Sequence, residues 1–158
     1  MAQVTIGYLI MVPVLIIQII VFPYVASLLM DISVESRRTI AIQEAANHLS
    51  SSMEQLYFSV NHDSITAGTI TYQLDLPLFI ENYYYIGNAT LRTGSADPDG
   101  SRILEITLEY VGVDVSTSVL ATFGGNMQWQ NSTFQSNSNS ACITAEKQEN
   151  GTILMYFG

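Results

Sequence analysis

The first thirty residues of the chain are uncharged, and the first charged residue is Asp31. Apolar residues lie on every face that a helix over this stretch would have, which is typical of a helix buried in lipid or among other helices. A membrane crossing needs about 20 such residues, and thirty of them in a helix cover about 45 Å. We therefore predict a hydrophobic assembly or membrane helix over residues 1–30, which is too long for a cleaved secretory signal and lacks its basic start.

Two prolines lie inside this helix and change its expected backbone. Each removes a hydrogen bond and clashes with the carbonyl group four residues earlier, so we expect the helix to bend or partly melt between Pro13 and Pro23. In lipid, neighbouring helices can cover the freed carbonyl groups. The pattern favours a helix with close helical neighbours, and the alternative is an ordinary kinked anchor. The residues expected to form the assembly contacts are Ile10, Pro13, Val14, Ile17, Ile20 and Pro23.

A second helical pattern follows the uncharged segment. Apolar residues recur at spacings of four and three, with polar residues on the other faces, and neither Gly nor Pro interrupts the chain between Tyr24 and Val60. We predict a near-continuous helix from about residue 2 to residue 60, roughly 90 Å long, whose residues 31–60 are amphipathic. The apolar face comprises Ile42, Ala46, Leu49, Met53, Leu56 and Val60.

Beyond residue 60 the turn-forming stretch NHDSITAG ends the helix, and the remaining chain has the pattern of strands separated by turns. It predicts an all-β head domain over residues 61–158, with about six or seven strands in an antiparallel sheet or sandwich. Together with the long N-terminal helix over residues 1–60, this gives an α+β fold class. The strands are predicted in TITYQLDLPLF, NYYYIGNATLR, RILEITLEYVGVDVSTSVLA, NMQWQNSTF, SACITAEKQ and GTILMYF.

Several local features refine the predicted head. Residues 104–110 alternate between apolar and polar, and the parity changes after Gly112, which predicts a bulge or bend there. Pro77 limits its strand to a sheet edge or a strand end. Alternation through residues 83–85 buries either Tyr84 or its two neighbours. The stretches TGSADPDGS and QNSTFQSNSNSA are predicted to be a turn and a polar loop.

Charge and chemistry exclude several function classes. The chain has 5 Lys and Arg against 14 Asp and Glu, a net charge of −9, whereas a nucleic-acid partner would require a basic patch. His48 and His62 are isolated, and Asp97 and Asp99 lack the further oxygen ligands of a calcium loop. The lone Cys142 cannot form an internal disulfide. We therefore predict no enzyme activity, no metal and no cofactor.

The basic residues and the glycosylation sequons point to opposite sides of a membrane. Arg37 and Arg38 follow the apolar segment, which by the positive-inside rule would keep the C-terminal part in the cytoplasm. Sequons at Asn88, Asn131 and Asn150 instead predict an extracellular head. The conflict disappears if a basic leader once preceded the first residue and was removed, which we expect.

The order of these segments resembles type IV pilins in the broad sense, and archaeal pilins and archaellins more closely. The resemblance spans the whole chain and rests on its layout. The helix ISVESRRTIAIQEAANHLSSSMEQLYFSV followed by YQLDLPLFIENYYYIG looks like the helix-to-sheet junction of such proteins. Bacterial members carry a glutamate where this chain has Thr5, and a proline close to the place of Pro23. The missing glutamate puts the bacterial docking mechanism in doubt and favours the archaeal branch.

The resemblance implies a structural subunit that polymerises through its N-terminal hydrophobic helix into an extracellular type IV pilus-like filament, with the β-domain outside, for adhesion. It also implies the partners: other copies of the chain, the membrane before assembly, the pilus assembly machinery, and surface or cell ligands. One alternative is a single-pass membrane-anchored extracellular binding domain, or a minor component of a secretion or filament machine. A membrane-anchored enzyme would need a cleft of clustered titratable residues, and the sequence shows none.

Overall fold

The computed structural model describes the backbone of residues 2–92, 100–138 and 140–158, and side chains over the same ranges from residue 11 onward. One helix, α1, runs Ala2–Val60, and it is followed by two antiparallel-dominated sheets. The predicted α+β fold is therefore confirmed. Within the described residues the strands are β1 Gly68–Gln73, β2 Tyr85–Leu91, β3 Arg102–Tyr110, β4 Ser116–Phe123, β5 Met127–Trp129, β6 Thr133–Gln135, β7 Cys142–Lys147 and β8 Ile153–Phe157.

Within the ranges that the structure describes, each of the two sheets contains four strands. The first has the order β1-β7-β8-β5, in which β5 and β8 are parallel and the other pairs are antiparallel. The second has the order β4-β3-β2-β6 and is antiparallel throughout. The alternating face of β3 predicted from the sequence is buried in the shared core.

The chain divides into two compact units, Met1–Arg37 and Arg38–Gly158. The second half of α1 belongs to the same unit as the sheets, because its predicted apolar face is buried in their core from Ile42 to Val60. Tyr57 adds an edge-to-face contact with Phe123, at 5.4 Å between ring centroids. The amphipathic part of the helix is therefore a structural element of the head.

Polar side chains of α1 also bind the outer edge strand of the second sheet, β4. The backbone N–H of Thr122 donates to Glu54 Oε1 at 3.0 Å, and Ser50 Oγ donates to the carbonyl of Leu120 at 3.4 Å. About two turns before Ser50 in α1, Gln43 Oε1 accepts a hydrogen bond from Thr117 Oγ1. Covering an edge strand in this way satisfies backbone groups that would otherwise pair with a foreign strand.

The prediction of one long strand bent at Gly112 is wrong. β3 ends at Tyr110 and β4 begins at Ser116, and the two strands pair antiparallel. Gly112 lies in the intervening turn with φ 91°, a conformation that glycine adopts without a steric penalty. The change in apolar parity therefore marks a reversal of the chain.

The prediction of one strand in NMQWQNSTF followed by a polar loop is also wrong. β5 belongs to the first sheet and β6 to the second, so the chain crosses between sheets after Trp129. The segment predicted as loop contains Phe134, which is buried in the core.

The strand predicted in TITYQLDLPLF is longer than β1. Every position of β1 is exposed, although Ile70 and Tyr72 alternate as the apolar residues of a buried strand would. The predicted turn at Asp97 and Asp99 lies outside the described residues.

Gly87 in β2 provides the space that Phe134 occupies. A Cβ atom built at Gly87 would meet the Phe134 ring at a distance that real side chains do not adopt. We expect Gly87→Ala to destabilise the head by about 1–3 kcal/mol, because the ring must move out of its contacts with Tyr85 and Phe157. Urea unfolding of the full chain in detergent measures the effect. Ala89→Gly, which removes volume from β2 instead of adding it, serves as the control. Gly151→Ala is unsuitable for this purpose, because Gly151 has a positive φ that an alanine rarely adopts.

Candidate functional site

The uncharged part of α1 is the most unusual surface of the described chain. Every position from 11 to 37 is exposed, and the apolar side chains face outward around the whole circumference. Phe22 is 78% exposed and Ile17 59%, whereas the core face of the same helix beyond residue 41 is fully buried. Apolar surface of this extent marks an interaction site for protein or membrane.

The predicted assembly residues all lie in this helix. Pro13, Val14, Ile17, Ile20 and Pro23 are exposed. The remaining one, Ile10, is helical, but its side chain lies outside the described part. From Met11 onward the helix is long and apolar enough to cross a membrane, and it is compatible with membrane anchoring.

The partial melting that was predicted between Pro13 and Pro23 does not occur. Helical conformation continues without a break through Pro13 and Pro23. Because Pro23 has no N–H, the carbonyl of Ile19 lacks the donor that an ordinary residue would supply. The concavity at this place has a volume of about 540 Å³ and is lined by Leu15, Gln18, Ile19, Phe22 and Pro23. Gln18 thus brings an uncharged amide to a lining whose other side chains are apolar.

Arg38 begins the second unit and is fixed there by three contacts. Its Nε donates to Glu81 Oε2 at 3.1 Å, and its guanidinium lies 5.0 Å from the centroid of the Tyr83 ring. Its carbonyl accepts a hydrogen bond of 3.2 Å from the Tyr110 hydroxyl. Glu81 and Asn82 both have positive φ, which is typical of the tight turn between Ile80 and Tyr83 that places Glu81 against the arginine. No sequence pattern indicates this cluster, because its members are up to 72 residues apart.

A groove of about 430 Å³ lies beside this cluster, between α1 and the segment that follows β1. Its walls are mainly apolar, with the carboxylates of Glu44 and Asp75 at its lining. The segment is held in place because Pro77 and Leu78 accept hydrogen bonds of 2.8 Å from Tyr85 and Ser136. The lining residues are Ala41, Glu44, Ala45, His48, Asp75, Leu76, Pro77, Phe79 and Ile80.

Tyr85 is the fully buried member of the three consecutive tyrosines, while Tyr83 and Tyr84 are half-buried. Burial raises the pKa of the Tyr85 hydroxyl strongly, and Tyr110 adds to the shift. Burial likewise raises the pKa of Tyr57 and of Tyr110. Because these pKa values are higher in the folded chain than in the unfolded one, their contribution to stability is complete below the unfolded pKa of about 10 and is lost above it.

We therefore expect the free energy of unfolding to fall as the pH rises above about 10, and to fall less steeply in Tyr85→Phe. Tyr72→Phe, which removes an exposed tyrosine hydroxyl from β1, serves as the control. The measurement is the urea midpoint of the full chain in detergent at a series of alkaline pH values. An unchanged slope in Tyr85→Phe would contradict the assignment of this pH dependence to Tyr85.

The three sequon asparagines are all exposed. Asn88 lies on the outer face of β2, Asn131 lies between β5 and β6, and Asn150 lies in the turn between β7 and β8. The Oδ1 atom of Asn150 accepts a hydrogen bond of 2.9 Å from the N–H of Thr152. Each amide is thus placed on the surface of the head, where an enzyme that adds glycans can reach it.

If glycans are attached at these sites, replacing Asn88, Asn131 or Asn150 with Gln should each lower the mass of the mature chain by one glycan. The fold should change little because all three side chains are exposed. Intact-mass spectrometry of the chain from its native source measures this, with Asn137→Gln, an exposed asparagine outside any sequon, as control. Equal masses for all variants would show that the sequons are unused.

Neither histidine has a metal-binding environment in the described part of the chain. His48 is exposed at the groove, and His62 Nδ1 accepts a 3.2 Å hydrogen bond from the N–H of Ser64 in the turn after α1. No group of three or more His, Cys, Asp or Glu residues suited to a metal ion occurs among the residues searched. Cys142 is a half-buried free cysteine in β7.

Comparisons of the chain with models of protein families, with curated proteins and with solved structures find no match. What the chain does must therefore be inferred from its own residues.

Proposed function

We propose that the chain is a structural subunit that polymerises through the apolar part of α1 into an extracellular type IV pilus-like filament. The observation that carries the proposal is the exposure of uncharged, mainly apolar side chains on all faces of α1 from residue 11 to residue 30. Such a helix needs apolar surroundings on every side. Lipid supplies them before assembly, and a bundle of identical helices supplies them afterwards.

The energetics support a helical polymer. Burying a large apolar side chain stabilises the buried state by about 1.5–3 kcal/mol, and this segment offers many of them. A contact between different faces of identical copies does not close on itself, so repetition of it produces a filament. The concavity at Gln18 and Pro23 adds a polar contact that a neighbouring helix can satisfy, which a lipid tail cannot.

The remaining unit then forms the outer surface. Its exposed sequons and strands would face the medium, where glycans at Asn88, Asn131 and Asn150 and contacts with surfaces or other cells would determine adhesion. The unassembled subunit would reside in the cytoplasmic membrane and pass to the pilus assembly machinery. An acidic, lysine-poor head is suited to contact with the medium and unsuited to nucleic acid.

The second candidate is a single-pass anchored extracellular domain, or a minor component of a secretion or filament machine. It is favoured by one observation, that the length and hydropathy of α1 suffice for a membrane span. In that case each copy of the helix is surrounded by lipid throughout, and neither Gln18 nor the free carbonyl of Ile19 meets a protein partner.

Shearing of intact cells distinguishes the two candidates. The sheared material is inspected by electron microscopy and digested, and the peptide that begins at residue 1 is sought by mass spectrometry. Fibres that contain this peptide with its apolar segment intact are expected for a filament subunit. A chain found only in the membrane fraction, with no fibre that contains it, would contradict the filament and favour the anchor.

A further inference from the structure

We propose that the groove between α1 and residues 75–80 binds Arg37 of a second copy of the chain. The inference rests on the proposed filament and names a contact within it. It is made from three observations: the charges of the groove, the pairing of the basic residues, and the shape of the groove.

The groove carries negative charge without a partner. Glu44 and Asp75 both line it, and neither forms an ion pair within the described residues. An anionic lipid headgroup or a phosphate would be repelled by this site. A cationic group would be attracted to it, and the chain has only 5 Lys and Arg residues to supply one.

Four of these five basic side chains already have partners. Arg38 pairs with Glu81, and Arg92 donates two hydrogen bonds of 3.1 and 3.2 Å to Glu105. The last two donate to carbonyl groups, Arg102 to that of Gly125 at 3.2 Å and Lys147 to that of His62 at 3.0 Å.

Arg37 is exposed and forms no ion pair in the part of the chain that the structure describes. It lies seven residues after the end of the uncharged segment at residue 30, so in a filament it would lie just outside the apolar core. A cation at that place has no lipid or apolar partner and is available to another copy.

The form of the groove fits an arginine side chain. An arginine has an apolar stem and a planar guanidinium that binds carboxylates through two hydrogen bonds. The stem would lie along Phe79, Leu76 and Pro77, and the guanidinium would meet Glu44 and Asp75. Phe79 is 54% exposed, so this wall of the groove is open to a partner. The anchoring of the segment by Tyr85 and Ser136 keeps that wall in place before the partner arrives.

The contact also suits the charge of the polymer. Each copy carries a net charge of −9, so neighbouring heads repel each other. An ion pair in which the donor and the acceptor lie on different copies offsets this repulsion and repeats along the filament. It would favour one axial register of the heads over others, which a uniformly apolar helix does not specify by itself.

Crosslinking within assembled filaments tests the position of Arg37. In a Cys142→Ser background, Arg37→Cys is combined with Asp75→Cys, and the filaments are treated with a thiol crosslinker whose span matches an extended arginine side chain. We expect a ladder of dimers, trimers and longer species on a denaturing gel. The matched control combines Arg37→Cys with Glu149→Cys, which is exposed in the turn between β7 and β8 and should give no ladder.

Other results overturn the inference in distinguishable ways. A crosslinked monomer would mean that the groove faces Arg37 of the same copy. Intact filaments without any crosslink would mean that Arg37 lies elsewhere, while the filament itself stands. If the unmodified chain forms no filaments at all, the proposed function fails and the inference fails with it.

Charge exchange gives an independent measurement if the cysteine variants assemble poorly. Arg37→Ala should raise the concentration of unassembled subunit roughly two- to fivefold, as expected for loss of one exposed ion pair. Arg37→Glu should raise it further, and its combination with Glu44→Arg and Asp75→Arg should return it to within about twofold of the unmodified chain. Glu149→Arg makes the same change of charge outside the groove and should not raise it. An equal response of Glu44→Arg and Glu149→Arg would overturn the inference.

Discussion

Replacement of Val14 or Ile17 with aspartate is expected to abolish filament formation. Both side chains are more than half exposed on the subunit and would be buried among neighbouring helices in the polymer. A carboxylate in the middle of a helix in apolar surroundings costs about 3 kcal/mol, which is more than a hundredfold in an equilibrium constant. Each subunit would contribute this cost, so the effect on a polymer accumulates. The measurement is the amount of the chain in sheared fibres.

Two controls separate the charge from its side effects. Ser33→Asp places the same group on the same helix beyond the first charged residue, where the surroundings are already polar, and should assemble normally. Val14→Ala removes volume without adding charge and should reduce assembly much less. The membrane content of each variant shows whether it was inserted before assembly. Normal fibres from the two aspartate variants would mean that this segment does not form the core.

The second large effect is expected in the head, where Leu49→Ala should destabilise the fold by about 2–5 kcal/mol. Leu49 is fully buried on the face of α1 that packs into the core with both sheets. Its removal leaves a cavity that a helix fixed at Arg38, Glu54 and Tyr57 by long-range hydrogen bonds cannot readily close. Thermal unfolding of the full chain in detergent, followed by aromatic circular dichroism, measures the loss.

The control for this experiment lies on the same helix. Ile40 is 64% exposed, so Ile40→Ala removes a similar volume from a surface position and should change the unfolding temperature little. Similar effects of the two substitutions would show that the second half of α1 is not part of the head's core. The difference between Leu49→Ala and Ile40→Ala therefore measures the tertiary contribution of the helix, because the change in helix propensity is small for both substitutions.

The helix and the regular strands were predictable because their patterns repeat over many residues. Six apolar residues from Ile42 to Val60, spaced by three and four, all proved to be buried, and the alternation in β3 was correct over its apolar positions. Long periodic segments average out the exceptions. The exposed apolar helix was predictable for a simpler reason, since thirty consecutive uncharged residues have few other uses.

The errors arose where the pattern was short or ambiguous. β5 and β6 have three residues each, too few for alternation to show to which sheet they belong. The parity change at Gly112 fits a bulge and a hairpin equally well, and only the antiparallel pairing of β3 with β4 in the folded chain distinguishes them. The helix was expected to bend or partly melt between Pro13 and Pro23, and the melting is absent because a helix loses only one hydrogen bond at each proline and can continue.

The candidate contacts outside α1 were not predictable at all. The Arg38 cluster and the groove join residues of α1 to a segment more than 25 residues later in the chain, and a local sequence pattern does not predict such long-range contacts. The sequence contained the relevant residues, including an arginine pair and scattered carboxylates, but not their pairing. Tertiary geometry alone showed that Arg38 has a partner and that Arg37 lacks one in the described chain.

The order of strands in the first sheet has a consequence for how the chain is made. β8 lies between β7 and β5, so the sheet cannot form until Ile153–Phe157 have left the ribosome. The apolar part of α1 emerges earlier, before every strand of the head. A nascent chain that stops before β8 would present the uncovered inner faces of Ile143 and Ala145 to chaperones and proteases. If the chain forms the proposed filament, quality control of this kind would remove truncated chains whose apolar helix is intact before they could enter a growing fibre.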